Sequence, residues 1–307
     1  MPSTRKIAVI LNASAGSGCD ENSARSFAEK FAAHGIEAKV TLARNGGELV
    51  GAAQQAVKDG MPMVAAGGGD GTQNAVASEL VGTDMIFGVL PMGTLNHFAK
   101  DLGIPLAMDD AIATIAAGHS TQIDTAEVNG RRFLNNSSLG LYPDTVHLRE
   151  IQQSRLGRSK WPAFFWAALT SLKRYPFLDL QLTTDKRSYR QRTPFIFIGN
   201  NDYIMEGFNI GARSSLQDGR LSLYFAHRTG RLGLLVLAVR AVFGRLKQAK
   251  DFEMLHATTL TVASRHRHLR VSTDGEVNVM STPLVYRIVP RSLNVFVPRP
   301  ASTEVKE

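Results

Sequence analysis

The chain has 307 residues, 44% of them hydrophobic, enough to bury a sizeable core and to form two domains of ordinary size. Its net charge of +8, from 35 Lys plus Arg against 27 Asp plus Glu, favours anionic partners: nucleic acid, lipid head groups or phosphorylated substrates. The sequence has no aromatic RNA-binding signature, zinc spacing or continuous basic block, which argues against nucleic acid, and the single cysteine, Cys19, excludes an intramolecular disulfide and points to a reducing, cytoplasmic setting.

The first third alternates in pattern: a strand over 7–11, a helix over 21–34, a strand over 38–42, a helix over 47–58, a strand from Val64, a helix after Thr72 and a strand over 85–90. The apolar run 7–11 is too short for a signal-peptide core, and the longest nearly continuous apolar stretch, 232–239, is far below the ~18 residues that cross a bilayer. Strands interleaved with helices predict a parallel sheet covered on both faces, with ligands bound beyond the carboxyl ends of its strands.

Three loops leave those ends: Asn12-Ala13-Ser14-Ala15-Gly16, Gly67-Gly68-Gly69-Asp70-Gly71-Thr72, and Pro91-Met92-Gly93-Thr94-Leu95-Asn96. All are rich in glycine and small polar residues, and their convergence on one rim predicts a nucleotide site. In the second, residues without Cβ let backbone N–H groups approach an anion, and the start of the following helix adds unsatisfied donors and roughly half a positive charge. A tight strand-to-helix turn would explain isolated glycines, but three in a row before Asp-Gly-Thr over-specify one.

After about Asp124 the pattern changes. Val128-Asn129-Gly130-Arg131 reads as a two-residue hairpin turn, and short strands rich in β-branched or aromatic residues follow over 178–182, 195–198, 221–225, 258–262, 269–272 and 284–289. They predict a second, mostly antiparallel β domain, interrupted by helices over 161–174 and 231–247, with 301–307 as a loose tail. The expected boundaries are 1–125 for the α/β domain and 126–291 for the β domain.

The motifs Gly-Gly-Asp-Gly-Thr (68–72), Pro-x-Gly-Thr-x-Asn (91–96), Asp-Gly-x-Leu (218–221) and Asp-Gly-Glu (274–276), in this order, resemble the diacylglycerol kinase catalytic family, and most of all its soluble bacterial lipid kinases. The resemblance spans nearly the whole chain. It implies an N-terminal Rossmann-like α/β domain of the phosphofructokinase and NAD-kinase kind, a C-terminal antiparallel β-sandwich, and an active site in the cleft between them where ATP meets a lipid hydroxyl. It also implies that residues 292–307 return to the first domain.

On that resemblance, Gly67, Gly68, Gly69 and Gly71 offer N–H groups to ATP phosphates. Thr72 caps the helix, Gly93, Thr94 and Asn96 form a second nucleotide wall, and Asn12 and Gly16 border it. Asp70 recruits Mg²⁺, a hard cation that prefers oxygen ligands and keeps several waters. Asp124 falls at the domain junction, near the metal. Asp218, with the carbonyl of Leu221, resembles a structural metal site, although Asp-Gly is equally a good turn before a strand. Glu276 is the candidate general base for the lipid hydroxyl, and Asp274 orients it or binds metal; a hairpin tip with two solvated acids is the alternative. The chain departs from the family pattern at His97, where Asp is common, and at Ala13, where Pro is. Asp101, one helical turn beyond His97, could compensate.

The expected activity is phosphate transfer from ATP, with Mg²⁺, to a lipid hydroxyl, diacylglycerol by default. Phosphatidylglycerol, a sphingoid base or NAD are alternative acceptors, and a non-catalytic nucleotide- or lipid-binding regulator is the alternative class. The aromatic stretch 161–169, flanked by Arg155, Arg158, Lys160, Lys173 and Arg174, suits a peripheral contact with the inner membrane face, and the helix over 231–247, with Arg240, Arg245 and Lys247, does so to a lesser degree. A homodimer is compatible with all of this.

Overall fold

The computed structural model describes residues 5–16, 18–140, 177–204, 212–226 and 252–299. The expected helices over 161–174 and 231–247 and the tail 301–307 lie outside these residues. The chain divides into two compact units, Met1–Thr125 with Arg291–Glu307, and Ala126–Pro290.

In the first unit the elements run β1 (Arg5–Asn12), α1 (Glu21–Ala33), β2 (Ile36–Ala43), α2 (Gly46–Lys58), β3 (Met63–Gly68), α3 (Asp70–Leu80), β4 (Ile86–Pro91), α4 (His97–Asp101) and α5 (Met108–Ala117). The strands pair in parallel in the order β2-β1-β3-β4. The C-terminal end of the last strand, β16 (Leu284–Phe296), adds a further parallel neighbour, with Asn294 and Val295 opposite Ile86 and Phe87. Ile7, Val9, Leu11, Val64, Ala65 and Ala66 are buried on both faces, which is why these strands read as continuous apolar runs rather than alternating ones. The chain steps from β1 to β2 on one side, then crosses back over β1 to β3. Right-handed crossovers in opposite directions put α1 and α2 on opposite faces, and the reversal opens a crevice at the carboxyl ends of β1 and β3.

Among the described residues, two helices carry side-chain caps. Asp20 Oδ1 accepts the Ser23 N–H at 2.9 Å in a capping box, and Asn45 Oδ1 accepts the Glu48 N–H at 3.0 Å. α3 has none. It begins at Asp70, three residues before the sequence pattern suggests, so Thr72 lies inside the first turn instead of capping it.

The second unit is antiparallel. β5 (Ser120–Val128) enters it and turns into β6 (Arg131–Phe133), followed by β7 (Asn136–Gly140), β8 (Leu178–Thr184), β9 (Ser188–Thr193), β10 (Phe195–Asn200), β11 (Leu221–Ala226), β12 (Phe252–Ala257), β13 (Thr259–Ser264), β14 (His268–Thr273) and β15 (Glu276–Ser281). One sheet runs β12-β11-β10-β7-β14-β15, while the N-terminal half of β16 continues through β13 and β8 to β9. Inward residues of both sets, among them Leu139, Ile198, Leu223, Val271, Leu180, Val262 and Tyr286, form one core. No helix among the described residues is long and apolar enough to cross a membrane.

Candidate functional site

Register brings the three glycine-rich loops of the first unit together. Leu11 lies opposite Gly67, and Gly67 and Gly68 lie opposite Leu90 and Pro91, so the loops after Asn12, Gly68 and Pro91 leave three adjacent strands at one edge. Side chains then lock them. Asn12 Nδ2 donates to Thr72 Oγ1 at 3.0 Å, and Asn12 Oδ1 accepts the Ser14 N–H at 3.0 Å. Asn96, in the left-handed region at φ 50, accepts the Gly93 N–H through Oδ1 at 2.9 Å and donates through Nδ2 to the Gly93 carbonyl at 2.8 Å. Asp70 Oδ1 accepts the Phe98 N–H at 2.9 Å, tying the start of α3 to α4. Gly16 turns the first loop at φ 61, and Thr94 and His97 are exposed.

Two close approaches explain why glycine is needed. A Cβ on Gly93 would lie 2.5 Å from Gly69 Cα, so the second and third loops meet backbone to backbone. A Cβ on Gly68 would lie 2.4 Å from Thr72 Oγ1, so the first turn of α3 folds tightly onto the end of β3. The first helical bond of α3 runs from the Gln73 N–H to the Gly69 carbonyl at 3.0 Å. The N–H groups of Asp70, Gly71 and Thr72 therefore have no partner within the helix, and no side chain caps it. Donors at the positive end of a helix, walled by residues without side chains, suit a phosphate.

The sequence reading missed Gln73. Its buried Nε2 donates to the carbonyls of Ala66, Gly68 and Leu90 at 2.9, 3.3 and 3.2 Å, holding the ends of β3 and β4 in place. Its Oε1 and the Oδ1 of Asn74 are buried without a partner among the described residues. Asp124 is buried on β5, where Oδ1 accepts the Arg291 N–H at 2.8 Å.

In the second unit Asp274 and Gly275, at φ 48 and 88, make the two-residue turn of the β14–β15 hairpin, with Thr273 opposite Glu276. Asp274 Oδ2 accepts the Leu134 N–H at 2.7 Å, and Oδ1 accepts those of Asn135 and Asn136 at 2.9 and 3.0 Å. Burial of this carboxyl pushes its pKa up to about 6, against the three N–H groups and Arg213, which favour the charge. Glu276 Oε2 meets Arg131 Nη2 at 2.6 Å. Asp218 belongs to a different cluster. Arg220 Nη2 lies 3.1 Å from Asp218 Oδ2 and 2.6 Å from Asp202 Oδ2, while Asp202 Oδ1 accepts from Ser222 and, at 2.9 Å, from His256 Nε2. Burial raises the Asp202 pKa, but Ser222, His256 and Arg220 outweigh it and leave the carboxyl below its ordinary value. Leu221 is fully buried in the core.

A diacylglycerol kinase catalytic domain model matches residues 6–128, and a YegS C-terminal NAD kinase beta sandwich-like domain model matches residues 144–297. The chain belongs to the diacylglycerol kinase family of YegS type. An uncharacterized protein of Synechocystis sp. is 28% identical over 251 residues, covering 80% of this chain and 57% of that protein. A Klebsiella pneumoniae protein named "Probable lipid kinase YegS-like" is 36% identical over 134 residues, 43% of this chain and 44% of its own length. The chain thus spans less than two thirds of these curated relatives. The crystal structure of a diacylglycerol kinase from Bacillus anthracis str. Sterne shares the fold, with a TM-score of 0.71 at 18% identity, over 98% of this chain and 99% of that one.

Membership in this family implies ATP and raises the question of Mg²⁺. Among the described residues no group of three or more His, Cys, Asp or Glu side chains is placed to hold a metal ion. Mg²⁺ asks for less when nucleotide phosphates and water complete its shell. Asp70 meets that requirement, since Oδ1 is fixed by the Phe98 N–H and Oδ2 has no partner among the described residues. The Asp218 loop fits a metal less well, because Arg220 already sets a positive charge between two carboxylates.

Proposed function

We propose that this chain is an ATP-dependent lipid kinase that transfers the γ-phosphate to a lipid hydroxyl at a membrane surface, with diacylglycerol as the first acceptor to test. The observation that carries the reading is the uncapped N-terminus of α3, enclosed by Gly68, Gly69 and Gly93. The names of its curated relatives support the choice of a lipid acceptor.

Phosphoryl transfer is mostly positioning and charge neutralisation. The N–H groups of Gly69, Asp70, Gly71 and Thr72 bind phosphate oxygens, and the Gly93–Asn96 loop closes the opposite wall. Asp70 would hold Mg²⁺, which would supply neutralisation of phosphate charge. Glu276 takes the proton of the attacking hydroxyl through Oε1 as the new bond to phosphorus forms and the bond to the ADP oxygen breaks.

The test is transfer of labelled γ-phosphate from ATP, with Mg²⁺, to diacylglycerol, phosphatidylglycerol and sphingoid bases in mixed micelles, with NAD and soluble polyols alongside. Label on one lipid class is expected. Label on NAD alone, or on nothing although ATP binds, would overturn the reading.

A further inference from the structure

Arg131 is the residue around Glu276 that the proposed chemistry leaves unused. It opens β6, directly after the Asn129-Gly130 turn, and lies 145 residues from Glu276 in sequence. Its guanidinium makes two contacts on one hairpin. Nη2 donates to Glu276 Oε2 at 2.6 Å, and Nε donates to Thr273 Oγ1 at 3.1 Å. Thr273 and Glu276 are cross-strand partners flanking the Asp274-Gly275 turn, so both contacts reach across the same two-residue tip.

The hairpin bearing Arg131 is itself fixed. Asn129 Nδ2 donates to the Ser281 carbonyl at 3.1 Å, its Oδ1 accepts the Val285 N–H at 2.8 Å, and its own N–H donates to the Val285 carbonyl at 3.0 Å. Asp274 binds the N–H groups just beyond β6. The β5–β6 and β14–β15 hairpins are therefore tied on both sides of the Arg131–Glu276 contact, and the guanidinium has a firm base from which to hold the carboxylate.

The Glu276 side chain is 56% exposed and that of Arg131 38%. An ion pair so open to water contributes little to folding, because solvent screens it and two long side chains lose freedom to make it. Its geometry matters more than its strength. With Oε2 taken by Arg131, Oε1 has no partner among the described residues.

We propose that Arg131 is a positioning residue that clamps one oxygen of Glu276 so that the other meets the acceptor hydroxyl. The inference rests on the reading of Glu276 as the base. Arg131 touches neither reactant; it acts only through Glu276.

Turnover of Arg131→Met, Arg131→Lys, Glu276→Asp and the Arg131→Met/Glu276→Asp double variant, with separate kcat and KM for ATP and lipid and a thermal melt of each, tests this. Loss of alignment at a reacting group costs ~10–10²-fold, so Arg131→Met should lower kcat by that factor, leave both KM values and the melting temperature nearly unchanged, and be partly rescued by Lys. In the Glu276→Asp background, where the shorter carboxylate has already left the clamp, Arg131→Met should cost nothing further. A rise in KM for ATP or lipid would instead make Arg131 a ligand for substrate phosphate, and equal losses in both backgrounds would make it independent of Glu276; either overturns the proposal. If Glu276→Gln retains full turnover, the base assignment itself has failed, an outcome distinct from these.

Discussion

The glycine rim of the first unit and the hairpin tip of the second are both crowded with polar groups, but they satisfy them differently. At the rim, side chains lock the loops to one another through Asn12, Asn96 and Asp70, while the N–H groups opening α3 are left without a cap. At the tip, Asp274 has three N–H partners and Glu276 has an arginine. A region that fixes its scaffold yet leaves helix N-terminal donors uncapped has the chemistry to receive an anion. One whose carboxylates are already engaged is built to hold a side chain still.

The contrast is most exposed at the residues that belong to only one side of it. Asp70→Ala removes the carboxylate proposed to hold Mg²⁺ at the rim; metal-dependent turnover should vanish while the melting curve stays cooperative, and full activity would exclude its role. Glu276→Gln should reduce kcat by ~10²–10⁴-fold, the usual contribution of a general base, with nucleotide affinity unchanged by titration calorimetry. Gly93→Ala forces a Cβ to within 2.5 Å of Gly69 Cα. Overpacking of this kind costs about 1–3 kcal/mol, so both stability and ATP affinity should fall.

Much of the fold is legible in the sequence because local chemistry dictates it. Asn129-Gly130 makes the hairpin turn it promises, and the apolar runs of β1, β3 and β4 form the parallel sheet. Two strands outside that reading lack such a signal. β9 is a polar strand at a sheet edge, and β7 opens on half-buried Asn136 and buried Ser137 and Ser138, polar residues that read as a loop. The sequence pattern gives a strand only over 284–289, just before Pro290, yet β16 runs on to Phe296, with Arg291 at φ 48. At the site, glycine spacing revealed the loops but not what closes them. The Gln73 amide bridges three carbonyls, and Arg131 finds Glu276 from 145 residues away; neither leaves a local pattern.

Two smaller effects sharpen the comparison. The folded Asp274 carboxyl has a pKa of about 6 against an ordinary value of 3.8, so between these values the folded state holds a proton that the unfolded chain has lost. Its contribution to stability is fully present below 3.8 and is lost as pH rises to about 6, a change of roughly 1–3 kcal/mol. Asp274→Asn should flatten that slope in denaturant titrations across the same range; an unaltered slope would place the shift on another group. Asn12→Ala, which breaks one link between the first loop and α3, should cost only about 1 kcal/mol in the same titrations.

The most direct test of the central claim is to follow the backbone amide resonances of Gly69, Asp70, Gly71 and Thr72 as ATP is added. The account predicts that these four shift together and saturate with nucleotide binding, while the amides of Leu134, Asn135 and Asn136, already held by Asp274, stay in place. If ATP saturates the protein and the amides at the start of α3 do not move, the phosphate site lies elsewhere.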